Sequence, residues 1–148
     1  NPYARARNRV DSVGIGWYAI DLHPCVGNKN VSMYSPTKPF QIPLSAMIPE
    51  KTKNLIPACK NISTTHLTNG AYRLHPLEWN IGESAMMLAL FCVDNGTAPH
   101  IVAEDAKAIL RLQYRIVKQG IPIAWAIDIP VDHPLFIPTQ MSLVQEAT

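Results

Sequence analysis

The sequence predicts a mixed fold, α/β or α+β, and three features of the 148 residues indicate it. Thirteen prolines are spread along the chain and divide it into short extended segments. Residues 11–22 alternate as a strand does, and two helical patterns follow in the C-terminal half. Hydrophobic residues make up 47% of the chain and charged residues 16%, so we expect a globular domain.

The first element, over residues 11–22, places Val13 and Ile15 on one parity and Gly14 and Gly16 on the other. This alternation predicts a strand. Glycines weaken a strand, so they indicate a bulge, or a backbone or ligand passing close by; a glycine-tolerant edge strand is the alternative.

Three segments of lower regularity come next. Residues 24–39 are rich in glycine, asparagine and proline and predict a loop, after which residues 40–42 resume an extended course. Residues 54–58 are a short apolar run that predicts a buried strand, with Pro57 at its end because proline cannot donate to a ladder.

The strongest helix prediction begins at Asn80. Its side chain can accept from the amide three residues on, and Glu83 can reach back to the Asn80 amide, as in a capping box. Residues 81–93 are almost all apolar, and the pair at 95–96, Asn-Gly, supplies a left-handed stop. Since a helix that is apolar on all sides is normally buried, we expect this one inside the domain.

A second helix is predicted over residues 103–118, where apolar side chains recur every 3.6 positions. Glu104 and Asp105 lie in its first turn and Gly120 just past its end, which favours an amphipathic surface helix. Residues 121–138 are apolar but contain four prolines, so we expect an extended tail docked on the domain.

Charge and hydropathy exclude two classes of partner. The net charge is +2 and no basic cluster is denser than Arg5, Arg7 and Arg9, so we expect no nucleic-acid partner. The longest apolar stretch, residues 85–93, is about half of what a bilayer crossing needs, so we expect no membrane partner.

The cysteine pattern favours free thiols. Cys25, Cys59 and Cys92 cannot all pair within one chain and none belongs to a CxxC motif, which favours a reducing, cytoplasmic compartment. Asp21, His23 and Cys25 do not have the ligand number or spacing of a metal centre, so no metal is expected.

Residues 60–80 are the densest polar stretch, between the predicted buried strand and the predicted buried helix. In an α/β domain such a loop opens toward a helix amino terminus, where unpaired amides favour an anion. His66 and His75 supply imidazoles and Arg73 a bidentate donor. A loop with ordinary cap and turn hydroxyls is the alternative.

Residues 54–76, followed by Ile-Gly-Glu-Ser-Ala at 81–85 and an apolar helix, resemble the C-terminal flavin-contacting segment of FAD-dependent oxidoreductases. These belong to the glutathione-reductase-like group with two dinucleotide folds. The shared pattern is a strand, a small-residue turn, Ser-x-x-His, Gly-x-x-Arg-x-x-Pro and Gly-[Gln/Glu]-Ala-Ala. Residues 11–23 resemble the strand in which the substrate domain returns to the flavin, and residues 40–44 the crossing back into the FAD domain.

The resemblance implies part of a Rossmann-like FAD-binding domain, with strands from the substrate domain. Within one unit, residues 1–50 would be those strands and the crossing, 51–100 the flavin-contacting strand, loop and helix, and 101–148 the C-terminal helix and proline-rich tail. Family members hold the FAD pyrophosphate with an N-terminal GxGxxG turn, which this sequence lacks. We therefore expect a C-terminal portion whose partner is a missing FAD-binding half, and which alone does not retain FAD.

The resemblance also implies site residues. Arg73 would bind an anionic substrate or stabilise reduced flavin, and His66 would be a substrate ligand or proton donor. The amides of Gly82, Glu83 and Ser84 would face the pyrimidine end of the flavin ring, where a helix amino terminus stabilises the charge of the reduced ring. The residues beside the ribityl chain would be Ala58, Cys59, Lys60 and Asn61.

The functional prediction is therefore the C-terminal part of an FAD-dependent oxidoreductase, which transfers a hydride between flavin and a small organic substrate of open identity. The alternative is a non-catalytic oligomerising or interaction module without FAD. A small hydrolase that uses His66 with Ser63 or Thr64 is disfavoured, because the sequence lacks a nucleophile elbow and a convincing acid partner. Because a split fold would leave the helix over residues 81–93 uncovered, we expect the isolated chain to be inactive and to form a homo-oligomer.

Overall fold

The computed structural model describes residues 6–24, 26–27, 32–126 and 128–146. Two antiparallel two-stranded sheets pair β1 (Ser12–Gly16) with β4 (Phe40–Pro43) and β2 (Ile20–Leu22) with β3 (Met33–Ser35). A 3₁₀ turn, Leu44–Met47, follows β4. The helices of the described residues are α1 (His66–Tyr72), α2 (His75–Asn95), α3 (Pro99–Glu104), α4 (Ala106–Lys118) and α5 (Phe136–Gln145). The predicted mixed α/β class is confirmed.

The strand predicted over residues 11–22 is two strands, β1 and β2. The register between β1 and β4 shifts between Ser12 and Gly14, so the predicted bulge is present. A Cβ at Gly14 would overlap the Asn80 side chain, and one at Gly16 would overlap the Phe40 ring. The glycines therefore let α2 and β4 pack directly on the β1 backbone.

Helix α2 begins earlier than the sequence predicts. It starts at His75 with Pro76 in its first turn, where the missing amide of proline costs nothing. The predicted capping box at Asn80 is wrong, because Asn80 lies inside the helix and its Oδ1 accepts from the Ile15 amide at 2.8 Å. The predicted stop is confirmed, since Gly96 caps the helix at φ 59°.

The second predicted helix is interrupted at Asp105. Helix α3 ends before this residue, and its carboxylate then accepts from the Lys107 amide at 2.8 Å as the N-cap of α4. The amphipathic character of α4 is confirmed, since Leu112 and Ile116 are fully buried while Arg111 is exposed.

The tail docks as predicted in its first part. Residues 121–124 are irregular and largely buried, and side chains hold their backbone. Ser12 Oγ and Gln41 Nε2 donate to the Ile123 carbonyl at 2.5 and 3.0 Å, and Gln140 bonds the backbone of Ile123 and Ala124 through both of its amide atoms. The extended prediction is wrong from residue 136, where α5 begins.

Two predictions for the middle of the chain are wrong. Residues 55–58 are irregular and pair with neither sheet of the described residues, and Leu55 is exposed. The predicted loop over residues 60–80 contains α1 and the start of α2. The Thr65 and Thr68 hydroxyls cap α1 reciprocally, which allows a short helix there.

The core lies between α2, α4 and the β1–β4 sheet, with Ile42, Ile81, Leu88, Leu112 and Ile123 fully buried. At 21 residues, α2 is the longest helix of the described chain, and none of these helices has both the length and the hydropathy to cross a bilayer.

Candidate functional site

The predicted ribityl segment, residues 58–61, lies against the first turns of α2. The Ala58 carbonyl oxygen is 3.4 Å from the position that a Cβ on Gly82 would occupy. The Asn61 side chain folds back to accept from the Cys59 amide at 3.1 Å. The structure thus brings together Ala58 and Gly82, which the sequence predicts at one site.

A carboxylate that the sequence analysis missed holds this segment in place. Glu78 accepts from the Cys59 thiol at 2.9 Å and pairs with Lys60 Nζ at 3.5 Å and His75 Nδ1 at 2.5 Å. These contacts hold the pKa of Glu78 below its ordinary value, with the Cys59 hydrogen bond as the largest cause. The signal in the sequence is the acidic residue two positions after Pro76, in the first turn of a helix that begins with proline.

The amides predicted to face the flavin ring lie about two turns into α2, at Gly82, Glu83 and Ser84. Amides at this depth donate to carbonyls four residues earlier, so they are not available to a ligand. The helix start predicted there is wrong, and the open amino end lies at His75 instead. The Ser84 side chain points into the core and donates to the Val13 carbonyl at 2.5 Å.

The two candidate catalytic residues lie at opposite ends of α1. Arg73 follows its last turn, where Nη2 donates to the Asp21 carboxylate at 2.7 Å and to the Asp21 carbonyl at 3.1 Å. His66 is the exposed first residue of α1, about 10 Å away along the helix axis. Its imidazole has no hydrogen bond to any side chain or backbone of the described residues.

An open groove of about 480 Å³ lies beside the amino end of α2, and all three tryptophans of the chain line it. Trp17 follows β1, Trp79 projects from α2, and Trp125 follows the docked tail. The rings of Trp17 and Trp125 pack edge to face, with 6.0 Å between their centroids and 85° between their planes. The tryptophan groove, as we call it, also includes Leu74, Pro76, Leu77, Asn80 and Glu83.

Two polar side chains belong to the lining of this groove. Asn80 is 8% exposed, and its Nδ2 is buried without a hydrogen-bond partner among the described residues. Glu83 is the charged member of the lining, is exposed, and has no ion pair in the described part of the chain. A buried donor without an acceptor costs free energy in the folded state, so Asn80 Nδ2 is an unfavourable element of this packing.

The amino end of α2 opens beside the same groove. Leu74 is its N-cap and provides no side-chain cap, and Pro76 in the first turn has no amide, while the Glu78 carboxylate in the same turn lies near the positive end of the helix dipole. Sequence reasoning missed the tryptophan groove because its three aromatic residues are far apart along the chain and meet only after folding.

An exposed apolar stripe runs along α2 between the tryptophan groove and the segment 58–61. It consists of Trp79, Met86, Leu90 and Val93, which are 68%, 60%, 42% and 79% exposed. Their spacing of seven, four and three residues places them on one side of the helix. The prediction that this helix is buried all round is therefore wrong within the described chain.

Among the described residues, no group of three or more histidine, cysteine, aspartate or glutamate side chains is arranged to hold a metal ion. Asp21 and His23 contact each other at 3.2 Å, while Cys25 lies outside the described residues.

A family model described as FAD dependent oxidoreductase matches residues 2–116. The match includes the β1–β4 sheet, α1, α2 and most of α4, and therefore most of the tryptophan groove. No curated protein and no solved structure matches the chain.

Proposed function

The chain belongs to the FAD dependent oxidoreductase family, and on this premise we propose that it completes the flavin and substrate pocket of such an enzyme. The observation that carries the proposal is the open amino end of α2 beside a groove lined by all three tryptophans. The proposed partner is an FAD-binding half that holds the remainder of the cofactor.

The residues present suit the ring and ribityl parts of FAD. The uncapped start of α2 at His75 would stabilise negative charge on a bound ring by about 0.3 to 2 kcal/mol. Lys60 and Asn61 supply polar groups in the segment that lies beside the first turns of α2. No GxGxxG turn for the pyrophosphate occurs in the sequence, so that contact is assigned to the proposed partner half.

Bound FAD supplies two-electron chemistry: a substrate that is oxidised gives a hydride to the flavin and a proton to a base or to water. The tryptophans would exclude water from the groove, and the Asp21 contacts would hold Arg73 in one orientation. Leu74, the neighbour of Arg73, lines the groove, whereas His66 lies at the far end of α1. The geometry therefore favours Arg73 over His66 as the residue that contacts substrate.

The apolar stripe supports the proposed partner half. Four exposed apolar side chains on one helix face are what a covering domain would bury. The same stripe supports the second candidate function, a non-catalytic oligomeric module, because a second copy of the chain would also bury it. The two differ in one respect, since only the first requires FAD.

Titration with FAD tests the proposal. The purified chain is titrated while flavin absorbance and fluorescence are followed, and the titration is repeated after the upstream coding region is restored. We expect retention of FAD only in the longer protein. A longer protein that stays colourless and reduces no dye with any donor would overturn the proposal, and a stable homo-oligomer without flavin would support the oligomeric module.

A matched pair of arginine variants tests the site in the longer protein. Arg73→Ala should slow flavin reduction much more than it weakens FAD retention. Arg115→Ala is the control, because Arg115 pairs with Asp94 at the far end of α2 and should leave both properties unchanged. Equal turnover in Arg73→Ala and the parent would remove Arg73 from the site.

A further inference from the structure

We infer that the groove between α4 and α5 is a docking site for an acidic amphipathic helix of a partner protein. The inference goes beyond the proposed function and does not rest on it, because the α4–α5 groove and the tryptophan groove have no lining residue in common among the described residues. The match to the family model ends at residue 116, so α5, which forms one of the two walls, lies outside it.

The α4–α5 groove is a concave apolar surface of about 560 Å³. Leu110 and Tyr114 of α4 line one wall, and Ile137 and Met141 of α5 line the other. The two residues of α4 are 39% and 51% exposed, so the groove is accessible. The α5 wall, from Ile137 to Gln145, rises about 12 Å, close to the roughly 10.5 Å that a docked helix needs for apolar anchors at i, i+3 and i+7.

The charges beside the groove are positive. Helix α4 contains basic residues and no acidic one, and α5 has no charged residue. Lys107, Arg111 and Lys118 are exposed, and none of them has an ion pair in the described part of the chain. Their spacing of four and seven residues places them on one side of α4. The carboxylates of Asp105 and Glu146 flank the two helices and lie outside the groove lining.

Arg111 joins the apolar and the basic parts of this surface. It lines the groove, and its guanidinium carbon lies 5.5 Å from the centre of the Phe91 ring. The ring contact restricts the side chain and leaves its N–H donors available for a carboxylate. An arginine that is already oriented loses less entropy when it forms a bidentate pair.

The distribution of the cations selects the occupant. Lys107 and Lys118 are about 16 Å apart along the helix axis, with Arg111 between them. A single carboxylate, as on a fatty acid, would reach only one of the three. A lipid surface is flat, whereas the α4–α5 groove is concave. An acidic amphipathic helix presents several carboxylates beside an apolar ridge, so it complements both the charges and the shape.

Fluorescence anisotropy tests the inference with two labelled helical peptides of about 16 residues that share one apolar face. One peptide carries glutamate at its polar positions and the other carries lysine, and circular dichroism checks that their helicity is equal. We expect the chain to bind the glutamate peptide about tenfold more tightly or better at low salt, and to lose much of this preference in about 0.5 M salt. Equal affinity for the two peptides, no binding of either, or tighter binding to phosphatidylglycerol vesicles overturns the inference.

Two double variants with the same change in net charge separate the groove from the overall charge of the chain. Arg111→Glu with Lys118→Glu should weaken the glutamate peptide by about tenfold and strengthen the lysine peptide. Lys51→Glu with Lys53→Glu, in an exposed segment outside the groove, should change either affinity by less than about twofold. Equal weakening by the two double variants overturns the inference.

Methionine methyl resonances locate the bound peptide without any substitution. Met141 lines the α4–α5 groove, whereas Met86 lies on the apolar stripe of α2. The glutamate peptide should shift the Met141 methyl resonance and leave that of Met86 unchanged. An unshifted Met141 overturns the inference, and so do shifts of both methyls that depend on protein concentration without peptide, because a second copy would then fill the groove. Since FAD is absent throughout, failure of FAD binding and failure of this inference are separate results.

Discussion

The two faces of helix α2 have similar hydrophobicity and opposite surroundings. On one face Ile81 and Leu88 are fully buried, and Ser84 and Asn80 bond the backbone of β1. On the other face the apolar stripe is exposed to solvent. The apolar residues of α2 show that both of its faces could be buried. The rest of the described chain packs against only one of them.

Exchanging side chains of similar size on the two faces should give the largest contrast. Leu88→Ala should lower the free energy of unfolding by between about 2 and 5 kcal/mol, because it leaves a cavity in the core. Met86→Ala, on the stripe, should change it by less than about 0.5 kcal/mol. Urea unfolding of both variants checks the contrast, and comparable losses at the two positions would contradict the assignment of the faces.

A charge on the stripe sharpens the comparison between the chain alone and the proposed longer protein. Leu90→Lys should change the free energy of unfolding of the chain alone by less than about 0.5 kcal/mol, since Leu90 is already exposed. In the longer protein the same change should cost about 2 kcal/mol or more, because it would bury an unpaired ammonium. Thermal unfolding of both proteins, with Lys118→Leu as an exposed control on α4, measures the difference. An equal effect in both would mean that the stripe is not covered by the upstream half.

The successes of sequence reasoning are local. The glycines of β1 indicated a bulge and a close backbone, and both are observed because glycine conformation and steric size act within a few residues. Gly96 marked the end of α2 because a left-handed cap needs no distant partner. Amphipathicity predicted α4 for the same reason, because the residues of its buried face recur at helical spacing within one continuous segment.

The failures come from partners that are distant along the chain. Asn80 is a residue type that often caps helices, but its side chain accepts from the Ile15 amide instead. No local sequence pattern shows that this distant amide competes for the side chain. Residues 54–58 have the apolar composition of a buried strand, but they pair with no strand of the described residues. The candidate site followed the same rule: the resemblance put Ala58 and Gly82 at one place, and they do lie close together, while the tryptophan groove required three distant segments to meet.

The Ser84 hydrogen bond on the buried face should contribute less to the free energy of unfolding than the apolar contacts there, but its contribution should be measurable. Ser84→Ala removes the donor to the Val13 carbonyl in a buried site, so the free energy of unfolding should fall by about 1 kcal/mol. Ser63→Ala is the control, because Ser63 is exposed. Chemical denaturation resolves a difference of this size, and identical midpoints for the two variants would show that Ser84 does not stabilise the packing of α2 on β1.

The smallest expected effect concerns the first turn of α2, where Glu78 joins the segment 58–61 to the helix. Its pKa is lowered in the folded state, chiefly by the Cys59 hydrogen bond and further by His75 and Lys60. A carboxyl with a depressed folded pKa contributes stability that is fully present above its unfolded pKa, about 4.3, and is lost as the pH falls through the folded value. Glu78→Gln should therefore be less stable than the parent at neutral pH, and the gap should close below about pH 4.

Denaturation midpoints measured from neutral pH to pH 3 test this sign, with Glu83→Gln controlling for the loss of one negative charge from the same helix. A gap that widens on acidification would contradict the contacts described for Glu78. The outcome bears on both faces of α2, because Glu78 is the link through which the proposed ribityl segment reaches the helix that the core holds in place. The exposed Cys59 thiol should react with an alkylating reagent, whereas the Cys92 thiol, which is buried and whose pKa is raised by burial, should react slowly.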